Sequence, residues 1–256
     1  MLHQTAIIHP NAKLADDVEV GAYSIIGEHV EIGAGTAIGP HVVINGHTRI
    51  GRHNRIFQFC SLGEIPQDKK YKNEPTRLEI GDHNTIREFC TFNIGTAQDV
   101  GVTRIMDDNW IMAYVHIAHD CQVGSHTIMA NGVTLGGHVH VGDWAFLGGL
   151  SGVHQFVRIG AHAMTGFQTR LSQDLPPYVT AADNPAAAHG INSEGLKRRG
   201  FSSDSIMAIK HAYKTLYKSG LSFEDAKAAI QSQAKEHGEL HMLADFLATS
   251  ERGIIR

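Results

Sequence analysis

Counted in steps of six from Ile8, the chain places an aliphatic residue at Ile8, Leu14, Val20, Ile26, Ile32, Ile38, Ile44, Ile50, Ile56 and Leu62. The register breaks over Glu64 to Leu78 and resumes at Ile80, Ile86 and Phe92. It breaks again from about Gly95 to Val102, then returns as Ile105, Ile111, Ile117, Val123, Met129, Leu135, Val141, Leu147, Val153 and Ile159. A period of six is neither the helical 3.6 nor the strand alternation of two. It suits a short strand and a turn, repeated, and a repeated unit of this kind buries its apolar face only by stacking on its neighbours. Three units close a triangular coil of 18 residues with the aliphatic side chains inside, and coils then stack about 4.8 Å apart. Glycine often follows the core residue, as at Gly21, Gly27, Gly33, Gly39, Gly51 and Gly63. The two breaks are expected as loops extruded from the wall, at about 64–78 and 95–102.

The cysteines obey the same count. Cys60, Cys90 and Cys121 each lie four residues after a core aliphatic, a phase otherwise held by Val18, Ser24, Val30, Thr36, Val42 and Thr48. They are expected as small core thiols rather than as a redox or metal set. After Ile159 the hexads fade, and Pro176-Pro177 and Asn184-Pro185 punctuate the chain. Helical spacing follows. Ser202 or Ser203 is expected to cap a helix with Ile206, Ile209, Tyr213, Leu216 and Tyr217 on one face, ended by Gly220. Ser222 and Asp225 stand at capping-box spacing before a second helix, and Met242, Leu243, Phe246 and Leu247 mark a third. The expected organisation is a β-helix over 1–189 and a small α-helical domain over 190–256. The charge of −4 argues against nucleic acid as a partner. No apolar run reaches the roughly 18 residues of a membrane span. With no basic start leading into an apolar stretch and an odd number of cysteines, a cytoplasmic protein is expected.

Residues 18 apart stand above one another in such a coil. His119, Gly137 and Gln155 form one column, and Asp120, His138 and Phe156 the next, with His116 and His154 nearby. Other histidines, among them His47, His53, His83, His126 and His162, are expected on the solvated wall. The local sequence sets the first group apart: His116-Ile117-Ala118-His119-Asp120-Cys121, then Gly136-Gly137-His138-Val139, then Val153-His154-Gln155-Phe156. With them go Gln67-Asp68-Lys69-Lys70-Tyr71, Glu74-Pro75-Thr76-Arg77 and Asn192-Ser193-Glu194-Gly195-Leu196-Lys197-Arg198-Arg199-Gly200-Phe201. The hexads resemble those of the hexapeptide-repeat acyltransferases. The ordered motifs resemble, essentially end to end, the acyltransferases that move a chain from acyl carrier protein to UDP-N-acetylglucosamine in lipid A biosynthesis.

That resemblance implies a left-handed parallel β-helix and a homotrimer with sites between subunits. It implies transfer of a (3R)-3-hydroxyacyl chain, carried on the phosphopantetheine of acyl carrier protein, to the sugar 3-hydroxyl, with no bound cofactor and no metal. It makes His119 the base, Asp120 its orienting carboxylate and the Gly137 N–H the oxyanion donor. Asp68, Lys70, His116, His138, His154 and Gln155 would contact sugar or thioester, and Asn192, Glu194, Arg198 and Arg199 the nucleotide. A neutral imidazole suits a weakly nucleophilic hydroxyl, glycine leaves room above its N–H, and arginine forks suit a diphosphate. The chain departs from the family pattern twice. Asn93-Ile94-Gly95-Thr96 stands where many members have His-Arg-Gly-Thr, and Phe167 stands where a long-chain enzyme has glycine. The count from Gly149 and Asn131 places Phe167 on the same wall as the reaction centre, where a ring would shorten the acyl groove.

Three other readings fit parts of the sequence. The related N-acyltransferases acting on UDP-3-O-acylglucosamine carry a uridine-binding domain before the coil, for which hexads beginning at Ile8 leave no space. A zinc-dependent, carbonic-anhydrase-like coil would use the clustered histidines but leaves the arginine motif unexplained. A non-catalytic scaffold would show ranks of one polar residue rather than this mixed set.

Overall fold

The computed structural model describes all 256 residues, and in it the chain winds through 27 strands, most of two residues, before ending in helices. The strands form three sheets of nine, eight and ten. The first holds Ile7–Ile8, Ile25–Ile26 and, further on, His116–Ile117 and Thr134–Leu135; the second holds Lys13–Leu14 through Arg158–Ile159; the third holds Glu19–Val20 through Met164–Thr165 and then Val179–Ala182 and Ala187–Ile191. Pairing is parallel throughout the coil, and partners lie 18 residues apart, as Ile7 with Ile25 and His116 with Thr134. Where a loop intervenes the interval grows. Ser61 pairs with Thr91, and Thr91 with His116, so each loop leaves the coil and returns without disturbing the stack. The loops run over 65–76 and 94–101, within a residue or two of their expected limits.

The hexad residues make one interior. Ile26, Ile44, Leu62, Phe92, Ile117, Leu135, Val153 and Leu171 from the first sheet meet their counterparts from the other two in a single 41-residue cluster that runs the length of the coil. Each removes roughly 1.5–3 kcal/mol of apolar exposure, and a coil touches only its neighbours, so stability accumulates along the axis. The small-residue phase has its own chemistry. Ser24 Oγ donates to the Gly39 carbonyl at 2.7 Å and Thr36 Oγ1 to the Gly51 carbonyl at 2.9 Å. The thiols do the same, Cys60 to Arg87 at 3.0 Å, Cys90 to Met112 at 3.2 Å and Cys121 to Gly136 at 3.2 Å. Burial pushes the Cys121 thiol up to about 12, which keeps it protonated and inert.

The coil closes with an antiparallel pair, Val179–Ala182 with Ala187–Ile191, which covers the last parallel edge. The boundary expected at 189/190 falls inside that second strand; helix begins at Ser193. Four helices follow: α1 (Ser193–Arg198), α2 (Ser203–Tyr217), α3 (Phe223–Gln233) and α4 (His241–Ala248). Three were expected, and α1 was not. Ser202 caps α2 by accepting from Ser205 N at 3.0 Å, and Ser222 caps α3 by accepting from Asp225 N at 3.1 Å. The reciprocal half of a capping box is missing: Asp225 accepts from the Ser222 hydroxyl at 2.7 Å, its side chain being one methylene shorter than the glutamate that reaches back to the cap N–H. The helical cluster joins the coil through Tyr178, whose hydroxyl donates to the Glu239 carbonyl at 2.7 Å, and through the C-terminal Ile254, which pairs beside Asp174.

Two isoleucines of one sheet test the inward–outward assignment. Ile117 is fully buried, whereas Ile7 is 64% exposed. Ile117→Ala is expected to cost about 2–5 kcal/mol and Ile7→Ala less than about 0.5 kcal/mol, read from urea unfolding midpoints.

Candidate active site

At the edge where the first sheet turns into the second, one corner residue per coil adopts a left-handed backbone: Asp120 at φ 60°, His138 at φ 62° and Phe156 at φ 65°. Side chains leaving the coil from the same backbone geometry stack along the axis. The His138 and Phe156 rings lie 4.2 Å apart and within 4° of parallel. Asp120 is fully buried beneath the second loop. Its Oδ2 accepts from His119 Nδ1 at 2.9 Å and from Thr96 Oγ1 at 2.7 Å, and the Thr96 N–H donates to both carboxylate oxygens at 3.0 Å. Burial alone would raise this carboxyl, but the hydrogen bonds from His119 and Thr96 outweigh it and hold it below the usual carboxylate range. An ionised carboxylate only accepts, so the proton on Nδ1 is fixed and neutral His119 carries its lone pair on Nε2.

Gly137 lies directly over that ring. A Cβ there would stand 2.6 Å from His119 Cε1 and 2.7 Å from Nε2, so the column tolerates no side chain. The glycine was expected to make room for substrate; its first duty is to make room for the imidazole. Its N–H donates to no backbone carbonyl.

A pocket of about 750 Å3 opens on this corner. It gathers six expected residues: Asp68 and Lys70 from the first loop, and His116, His119, His138 and Gln155 from the coils. Asp120 supports it from behind. His116 Nδ1 pairs with Thr91 Oγ1 at 2.7 Å, and burial, then the neighbouring His119, holds its pKa below the ordinary imidazole value. His154 is on the same edge but outside the pocket, 3.1 Å from the Gln155 carbonyl and 3.4 Å from Arg252. The sequence reading missed Thr96, Gln98 and Asp99, which the second loop brings to the pocket, and Asn93, which also lines it; Phe156, the next in the His138 column, lines it too. The departure at 93–94 becomes structural: Asn93 is buried and donates to the Ile65 carbonyl at 3.1 Å, and Ile94 joins the core.

Two expectations need correction. Phe167 does not share the edge of the reaction centre. It follows His119 by two coils and two further hexads, which carries it to the edge between the third and first sheets. There its ring lies 3.1 Å from where a Cβ on Gly149 would be, and the residue is 67% exposed. His162 is not a solvated wall residue. It is 8% exposed, between Trp144, Tyr178 and Phe201 on the edge between the second and third sheets. Burial, then the charge of Arg199, brings its pKa down to about 4.

The arginine motif meets the coil at that third edge as well. Arg199 donates to the Trp144 carbonyl at 2.9 Å, lies over the Trp144 ring at 5.3 Å and approaches His162 Nδ1 at 3.3 Å. Asn192 caps α1, accepting from Gly195 N at 3.1 Å and donating to the His162 carbonyl at 3.0 Å. These two side chains therefore dock α1 on the coil. Arg198 is exposed and makes no hydrogen bond, and Glu194 is exposed and pairs with Lys197 at 2.8 Å. None of the four lines the His119 pocket of the same chain.

The nearest ligand atoms of His119, Asp120 and His138 fall within 4.8 Å of one another. The acceptor capacity of the carboxylate is already met by Thr96 and His119, an arrangement built to hold a proton on Nδ1. A second groove of about 640 Å3, between the second sheet and α4, is lined by Gln122, His140, Arg158 and Phe246 and holds none of the expected site residues.

Comparison with known proteins points one way. Residues 174–255 match the family described as UDP N-acetylglucosamine O-acyltransferase, domain 2, and residues 2–34 and 103–137 match the bacterial transferase hexapeptide (six repeats) family. The acyl-(acyl-carrier-protein)–UDP-N-acetylglucosamine O-acyltransferase of Thiobacillus denitrificans is 65% identical over 100% of this chain and 99% of its own. That of Herminiimonas arsenicoxydans is 64% identical over the same shares. The structure of LpxA from Acinetobacter baumannii superposes with a TM-score of 0.97 at 50% identity, covering 100% of this chain and 99% of that one.

His162 predicts a pH signature. Its folded pKa of about 4 lies below the unfolded value near 6.5, so its contribution to stability is complete above about 6.5 and is lost as pH falls through about 4. Unfolding midpoints measured between these limits are expected to fall with pH, and His162→Phe is expected to flatten the slope.

Proposed function

The chain belongs to the acyl-(acyl-carrier-protein)–UDP-N-acetylglucosamine O-acyltransferases, a membership from which we propose how its own residues perform the transfer. Its coil is the left-handed parallel β-helix of that family. The reaction moves a (3R)-3-hydroxyacyl chain from acyl carrier protein to the 3-hydroxyl of UDP-N-acetylglucosamine, the first step of lipid A biosynthesis. The observation that carries the mechanism is the His119–Asp120–Thr96 chain with Gly137 over the ring.

The sugar oxygen attacks the thioester carbonyl carbon while its proton passes to His119 Nε2. Asp120, held ionised, fixes the tautomer and stabilises the imidazolium that forms. The carbonyl oxygen becomes an oxyanion, to which the Gly137 N–H, a backbone dipole already in place, donates a hydrogen bond. The C–S bond then breaks, and the imidazolium returns the proton to the leaving pantetheine thiolate. No enzyme acyl intermediate is required. Lys70 and Asp68 bring one cation and one acceptor to the sugar side of the pocket, with His116, His138 and Gln155 completing it; His154 contributes from its rim.

Arg198 is free to meet a nucleotide, with the exposed Glu194–Lys197 pair beside it, but α1 sits on a different edge from His119. The site is thus completed by a neighbouring copy, whose α1 brings Arg198 to the diphosphate, and the chain acts as a homotrimer. An exposed ladder of Tyr23, His41, Phe59, Phe89 and Tyr114, stacked at 4.8–5.3 Å along the edge between the third and first sheets, supports such packing. Phe167 continues that edge, so its place in an acyl groove also depends on the neighbour. No bound cofactor takes part, the donor being the prosthetic group of the carrier protein. No helix is long and apolar enough to cross a membrane, and free thiols with a carrier-protein substrate support a cytoplasmic enzyme.

His119→Ala is expected to lower turnover at least about 100-fold with unchanged circular dichroism; near-normal turnover would remove His119 as the base. Phe167→Gly is expected to extend the accepted acyl length in a competition assay across hydroxyacyl carrier proteins, each further methylene gaining about 0.8 kcal/mol of burial. An unchanged profile would take Phe167 out of the groove.

A further inference from the structure

The second loop does more than interrupt the coil. It departs after Asn93, passes the buried Thr96 that holds Asp120, and re-enters at Val102. Between these points it lays Asp99 across the corner, with Oδ2 2.5 Å from His138 Nδ1. The Asp99 side chain is 34% exposed and that of His138 12%. His138 is therefore gripped on three sides: by Asp99 at Nδ1, by Phe156 flat against one face at 4.2 Å, and by His119, whose ring stands edge-on at 4.9 Å and 88°. Asp120 stands off, 3.9 Å from the same nitrogen and outside hydrogen-bond reach. The corner thus holds two carboxylate–imidazole pairs at right angles, one made by adjacent residues of the coil and one made by the loop.

An imidazole turned over about its Cβ–Cγ bond exchanges nitrogen for carbon at each position, so a ring that must present one nitrogen needs a partner on the other. Stacking on Phe156 sets the plane of His138 but does not distinguish the two flips. Asp99 does, because a carboxylate accepts from Nδ1 and has nothing to offer a carbon. We infer that Asp99 is a positioning residue of the transfer reaction: it acts through His138, fixing the ring flip and the Nδ1–H tautomer so that Nε2 is presented to the pocket beside His119. There Nε2 engages the reacting sugar–thioester pair by hydrogen bond. This inference rests on the reading of the His119 pocket as the transfer site.

A double-mutant cycle separates this role from simple anchoring of the loop. In the full-length enzyme, Asp99→Ala is expected to lower kcat at least about tenfold while the KM for UDP-N-acetylglucosamine moves by less than about twofold. In the His138→Ala background the same substitution is expected to have no further effect, since Asp99 then has nothing to orient. Asp99→Asn, which still offers a carbonyl oxygen to Nδ1–H, is expected to retain most of the turnover that Asp99→Ala loses. Additive losses, or equal losses in Asp99→Asn and Asp99→Ala, would overturn the inference and leave Asp99 as a loop anchor. Near-normal turnover of His138→Ala alone would instead remove His138 from the site, so that the failure lies in the reading beneath.

Discussion

Stacking of one buried aliphatic side chain per hexad is the constraint from which the remainder of this structure follows. Ile117 can be buried only because Phe92 lies below it and Leu135 above. Each coil is therefore held to its neighbours at the spacing of paired strands, and residues are delivered to the edges at intervals that cannot drift. Polar chemistry exploits that rigidity. His119 meets Gly137, and His138 meets Phe156, because the core beneath them leaves the corner no other register. A site carried on such a frame is preorganised without a buried polar network of its own, apart from the few hydrogen bonds that fix Asp120.

The loops escape the constraint, and the site uses that freedom. Asp120 alone would be a buried charge with one partner. Thr96, arriving from the second loop, supplies two further donors and makes the ionised form the stable one. Asp68 and Lys70 arrive from the first loop, so a surface corner becomes a pocket only where both loops overhang it. Wall and loops divide the labour: the coil sets the distance between His119 and Gly137, while the loops wall the pocket and hold Asp120 ionised.

Much of this was legible in the residues. The aliphatic stack inside the coil, both loops, the thiol phase and the His119–Gly137 column follow from counting by six, since a repeat states the same geometry many times over. What was missed lies where the repeat stops speaking. Asp99 pairs with His138 across 39 residues and a loop, and no periodicity relates them. Helix α1 hid inside a motif read for its charges, although Asn192 three residues before Gly195 is a cap spacing. His162 reads as wall in the sequence because the hexads do not show what the helical domain covers. The misplacement of Phe167 was different in kind. Its column with Gly149 was right, but that column belongs to another edge, which the same count by six would have shown.

The central claim is that one chain supplies the base and another the arginine, because His119 and Arg198 occupy different edges of the same prism. Co-expression of differently tagged His119→Ala and Arg198→Ala chains tests it, with mixed trimers isolated through both tags and assayed at subsaturating UDP-N-acetylglucosamine. If sites are shared, about a third of the sites in these mixed trimers, one per trimer, combine an intact His119 with an intact Arg198, and activity rises well above that of either variant alone. Mixed trimers no more active than the average of the two variants would place both residues in one chain's site and contradict the account.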